Sequence, residues 1–87
     1  MRLAELIERD ADTFASLEAI DAGVVFDESK RQAVPQAAET LRFFAAEATV
    51  AAGKMLRIPE GYAYTQREPF VVAAAIVPWN APLYETP

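Results

Sequence analysis

From Arg2 to Asp21 the apolar side chains Leu3, Leu6, Ile7, Phe14, Leu17 and Ile20 recur in steps of three, four and seven, while Glu5, Glu8, Arg9, Asp12 and Glu18 fall on other faces. That spacing predicts an amphipathic helix. The pattern stutters at Asp10-Ala11-Asp12, where either aspartate can cap a fresh turn, so two segments with a bend near residue 10 also fit. Gly23, after Ala22, suits the left-handed position that ends a helix. On this reading Glu5, Glu8, Asp12 and Glu18 form a solvated face, with nothing to pair them into an acid-base couple.

Residues 24–33, VVFDESKRQA, keep no period and predict a connector with one short helical turn after Asp27. A second helix opens at Val34-Pro35, because proline in the first turn lacks only an N–H that would be unpaired there. Val34, Ala38, Leu41, Ala45 and Ala48 share one face, Ala37, Phe44 and Ala52 widen it, and Gly53 ends it. Phe43-Phe44 is expected at a helix–sheet interface.

Beyond Gly53 the period shortens. Met55 to Ile58, a turn at Pro59-Glu60-Gly61, and Tyr62 to Arg67 predict two strands, with Tyr62, Tyr64 and Gln66 packing on one face. Val71 to Val77 does not alternate. A continuous apolar run of strand length, with prolines at 69 and 78, predicts a strand covered on both sides, as in a parallel sheet. Taken alone the chain reads as α+β: two main helices, a strand pair and one buried-type strand. Too few elements are present to cover that last strand, so Val71 to Trp79 is expected to be poorly protected.

Composition narrows the chemistry. Eighty-seven residues with 53% hydrophobic and 24% charged side chains make one small globular unit. Eight basic residues among thirteen acidic ones, net charge -5, argue against a nucleic-acid partner and against a membrane surface. Without cysteine or histidine the chain offers no thiolate nucleophile, imidazole base or ordinary zinc site. The acidic N-terminal stretch has no apolar core of a secretory signal, and the run from Phe70 to Trp79 is shorter than the ~20 residues that span a bilayer. A cytoplasmic location is the expectation.

One feature carries chemistry. The order strand, Pro78-Trp79-Asn80, then Pro82 as a first helical residue sets Asn80 beyond the carboxyl end of a strand, where ligands bind in open α/β sheets. An asparagine amide there can donate to a developing oxyanion without changing protonation state. An asparagine in that place is equally able to serve as a plain turn former.

The stretch YAYTQREPFVVAAAIVPWNAPL, Tyr62 to Leu83, resembles the aldehyde dehydrogenase superfamily, whose Tyr-Thr-Arg-x-Glu-Pro element leads into a Pro-Trp-Asn-Phe-Pro motif. RLAELIERDADTFASLEAIDAG resembles that family's first helices, and VPQAAETLRFFAAEATVAAGKMLRIP the helix and bridging strand that follow. The resemblance implies an α/β family fold in which 1–53 is the helical part of the cofactor-binding domain, 54–68 a bridging strand pair through which subunits assemble, and 69–87 the first strand of the dinucleotide-binding domain plus a tail. It implies that Asn80 is the oxyanion donor, that Ile76, Val77, Pro78 and Trp79 flank the nicotinamide-ribose end of NAD or NADP together with Asn80, and that Asp21 helps hold a monovalent cation.

Departures accompany the matches. Ala81 stands where the family has phenylalanine, Ala22-Gly23-Val24-Val25 replaces Asn-Gly-Lys-Pro after Asp21, and Val71 replaces a glycine. The family's cofactor lysine, activating glutamate and nucleophilic cysteine would all lie beyond Leu83, and YETP does not continue its apolar helix. The expectation is an N-terminal fragment of an NAD(P)-dependent aldehyde-oxidising enzyme, ending just after the PWN motif, inactive alone and binding no cofactor by itself. The alternative is a small non-catalytic interaction module that pairs through exposed strands, with itself or with a full-length relative.

Overall fold

A computed structural model describes residues 2–85. Its helices are α1 (Arg2–Arg9), α2 (Ala11–Ala22), α3 (Phe26–Glu28), a π turn (Ser29–Ala33) and α4 (Val34–Val50). Strands β1 (Met55–Ile58) and β2 (Gly61–Tyr64) follow, and a terminal turn α5 (Pro82–Glu85) comes last.

The bend expected near residue 10 divides α1 from α2. Asp10 does not cap α2 with its side chain; its carboxylate accepts from the Arg9 guanidinium at 2.9 and 2.7 Å. Gly23 ends α2 at φ 72°, in the left-handed region. The expected connector is helical for most of its length, because α3, the π turn and α4 run on without a break from Phe26 to Val50. Pro35 accounts for the widening between them. It has no N–H and its ring crowds the carbonyl of residue 31, so the turn before it opens and the Val34 N–H reaches back to the Ser29 carbonyl.

α1 lies along α4, and α2 packs on the π turn. The buried apolar residues are Ala4, Ile7, Ala15, Val34, Ala37 and Ala38. Mostly alanine, they let helices approach closely but bury little area, at about 25 cal/mol per Å². The face assigned to the core of α2 is therefore corrected: Ala15 and Glu18 face inward, while Leu17 and Ile20 are exposed and Phe14 is half-buried. Ala11, Ala15 and Ala22, spaced by four and then seven, form a narrow stripe on the side of α2 that packs on the π turn, whereas the bulkier apolar face is left as an open groove beside Pro82 and Leu83.

β1 and β2 form an antiparallel hairpin with Met55 opposite Tyr64 and Ile58 opposite Gly61. The second strand stops at Tyr64 rather than Arg67. Thr65 still holds Lys54, its N–H donating to the Lys54 carbonyl and its Oγ1 accepting from the Lys54 N–H, each at 2.8 Å. Gly53 is required there, because a Cβ on it would overlap the Thr65 carbonyl oxygen. Both faces of the hairpin are open, so Tyr62 and Tyr64 do not pack as expected. Phe43 and Phe44 touch each other edge to face but are likewise exposed.

Val71 to Val77 forms no strand. An extended segment needs a ladder partner to become a strand, and among the described residues none lies beside it. The departure at Val71 is visible in the backbone. Its φ of 72° is one that a β-branched residue rarely adopts, and the Val72 N–H donates to the Phe70 carbonyl across it, closing a strained three-residue turn. With the hairpin and this segment projecting, the molecule measures 61 × 23 × 18 Å and has a radius of gyration of 18.4 Å. A compact domain of this length would have about 12 Å.

Candidate functional site

Trp79 and Asn80 form the turn that leads into α5, which closes when the Glu85 N–H donates to the Ala81 carbonyl at 3.1 Å. Asn80 and Ala81 form one wall of a cleft of about 170 Å³ against α2 and the π turn, with Glu18, Ser29, Gln32 and Gln36 opposite. Asn80 thus lines a cleft together with polar residues. An exposed amide at such a rim can donate a hydrogen bond to an incoming oxygen.

Glu18 forms the floor of this region. It is 6% exposed, and its carboxylate accepts from the Ser29 hydroxyl at 2.5 Å and from the Leu83 N–H at 3.2 Å. Glu18 therefore does not belong to the solvated acidic face on which it was expected. Glu8 stays on that exposed face, where the Arg42 guanidinium grips it at 2.7 and 2.5 Å. This hydrogen bonding, more than the opposed charge alone, holds the Glu8 carboxyl below its ordinary range.

The other residues implied by the resemblance are dispersed. Ile76, Pro78 and Trp79 are exposed and Val77 is half-buried, so this stretch presents an open apolar edge running up to Asn80. Asp21 is exposed at the end of α2, on a second, mainly apolar groove of about 460 Å³ that Phe14, Leu17, Ile20, Pro82 and Leu83 line. Among the described residues no three His, Cys, Asp or Glu side chains group as metal ligands. Glu18 is the other carboxylate on that groove, and both of its oxygens accept hydrogen bonds from Ser29 and Leu83.

The sequence reading missed Glu18, Ser29, Gln32 and Gln36. The signal available was the three-residue spacing of Ala15 and Glu18, which puts a carboxylate on the small-residue stripe; the larger apolar residues of α2 drew attention to another face.

The match to the aldehyde dehydrogenase family covers residues 1–86. The chain belongs to the aldehyde dehydrogenase family. It is 41% identical over 85 residues to aldehyde dehydrogenase 1 of Tanacetum cinerariifolium, covering 97% of this chain and 17% of that protein. It is 39% identical over 83 residues to an aldehyde dehydrogenase of Alternaria alternata, covering 94% and 17%. A Saccharomyces cerevisiae protein named as an NAD(P)+ aldehyde dehydrogenase is 41% identical over 83 residues, covering 93% of this chain and 16% of its own. The chain thus spans about a sixth of the length of these dehydrogenases. No solved structure matches it. No helix among the described residues of this dehydrogenase segment is long and apolar enough to cross a membrane.

Proposed function

We propose that these residues are the segment of an NAD(P)-dependent aldehyde dehydrogenase that supplies the side-chain donor of its oxyanion hole, Asn80, for oxidation of an aldehyde to a carboxylic acid. The observation that carries this reading is the place of Asn80: at the rim of a polar cleft, at the end of an exposed apolar segment, directly before Ala81 and the α5 turn. A preorganised amide aimed at a developing oxyanion contributes ~3 to 4 kcal/mol to the transition state.

Ile76, Val77, Pro78 and Trp79 are the residues of this chain that would hold the nicotinamide-ribose end of NAD or NADP, and their open apolar edge fits one wall of such a cleft. The cofactor, when bound, accepts the hydride. What this chain contributes is orientation: a flat apolar wall beside the ring and an amide donor beside the aldehyde oxygen. Having no cysteine, it supplies no thiolate to attack the aldehyde, and an oxyanion donor without a nucleophile does not turn over. Residues 1–53, 54–68 and 69–87 then serve as cofactor-domain helices, bridging strands, and the first dinucleotide-domain strand with its tail, within the family's α/β fold.

The purified chain, incubated with NAD or NADP and a panel of aldehydes, is expected to form no reduced cofactor above blank. Sustained turnover would sink the reading. The role of Asn80 is tested in a chimera in which this chain replaces the matching segment of the yeast relative. Asn80→Ala is expected to lower kcat by about 100- to 1,000-fold, the loss typical of one oxyanion donor, with KM little changed. Unchanged kcat would reduce Asn80 to a turn former.

The hairpin supports a second reading. Both of its faces are open and its outer edges have no ladder partner among the described residues, so it can add to the sheet of another copy or of a full-length dehydrogenase.

A further inference from the structure

Among the described residues Glu18 is the one buried carboxylate, and none of the ion pairs there includes it. Burying a carboxylate is unfavourable unless hydrogen-bond donors replace its water. Two donors do so, one on each oxygen: the Ser29 hydroxyl on Oε2 and the Leu83 N–H on Oε1. The second is informative because of where Leu83 stands.

α5 begins at Pro82, with Ala81 before it. The residue at Ala81's position normally accepts, through its own side-chain oxygen, the N–H of the second or third helical residue, and alanine has no such oxygen. Glu18 fills that role from α2, 65 residues away in sequence. Ser29 fixes the other oxygen, and it is itself only 1% exposed, on the π turn that Pro35 forces open. The chain of support therefore runs from Pro35 through the π turn to Ser29, Glu18, Leu83 and the turn that bears Asn80.

We propose that Glu18 is a positioning residue, capping α5 from another helix and so setting where the Asn80 amide stands. Its bearing on catalysis rests on the oxyanion reading of Asn80, whereas the contact and its test do not. In the full chain, Glu18→Ala is expected to speed Leu83 amide exchange about tenfold or more, the loss of one hydrogen bond to a charged acceptor. The anisotropy of the single tryptophan, Trp79, should fall with it, while the Val34 and Ala38 amides keep their protection.

Glu18→Gln keeps an acceptor of the same reach and is expected to restore most of the protection. Should Glu18→Ala lose protection throughout, Glu18→Gln decides. Its neutral oxygen polarises the donor less, so the Leu83 amide proton should move upfield while those of Val34 and Ala38 stay. An unmoved Leu83 in both variants, or a Leu83 amide as unprotected in the unsubstituted chain as in Glu18→Ala, overturns the proposal. Failure of Asn80→Ala to lower kcat in the chimera would remove the donor role and leave these signals as they are.

Discussion

The side chains that matter here are defined by partners far away in sequence. Glu8 and Arg42 stand 34 residues apart and join α1 to α4 through a bidentate pair, both side chains partly exposed. The pair has a pH signature. Hydrogen bonding to Arg42 depresses the Glu8 pKa in the folded chain, so its stabilisation is complete above the ordinary carboxylate pKa and is lost as pH falls through the depressed value. Amide protection of α1 is expected to fall on acidification below that range and with added salt, which screens an exposed pair. In Arg42→Met both dependences should shrink; exchange measured across a pH series checks this. Sequence legibility among these residues was uneven. The role expected of Asn80 rests on the specific motif its neighbours form, whereas Glu18 looks like any surface glutamate until Ser29 and Leu83 arrive beside it.

Elements show the same division. The helices followed from apolar period and end signals, and Gly23 ends α2 as its freedom at positive φ predicts. Pro35 stands in the first turn of α4 as its missing N–H predicts, but the π turn before it did not follow from the sequence, because 26–33 keeps no period and is helical where it packs on α2. The hairpin was legible in kind, whereas its register and the end of its second strand at Tyr64 were not. Its dependence on Gly53 was not, since that requires knowing that Thr65 comes within van der Waals reach. Gly53→Ala is expected to separate Lys54 from Thr65 and remove their two hydrogen bonds, a loss on the order of 2 kcal/mol at about 1 kcal/mol each. Cross-strand NOEs between Met55 and Tyr64 should weaken or vanish; an intact hairpin would show that the backbone accommodates the methyl group.

Over the molecule as a unit the apolar surface is poorly covered. Phe70, Val71, Val72, Ile76 and Trp79 are exposed along one projecting segment, and Met55, Leu56, Tyr62 and Tyr64 on the hairpin. Contiguous exposed apolar surface of this kind promotes association. Light scattering is expected to show the mean mass rising with concentration, and Ile76→Lys with Val72→Lys to reduce the rise; a concentration-independent monomer would count against the open segment as an association surface.

Local spacing and contiguous motifs were enough to specify the periodic helices, the hairpin, the apolar run before Pro78 and the family to which the PWN motif belongs. Three outcomes needed the folded chain: which face of α2 is buried, why Glu18 tolerates burial, and that Val71 to Val77 forms no strand. Each depends on whether a donor, a covering face or a neighbouring strand lies within a few ångströms, and residues distant in the chain decide that.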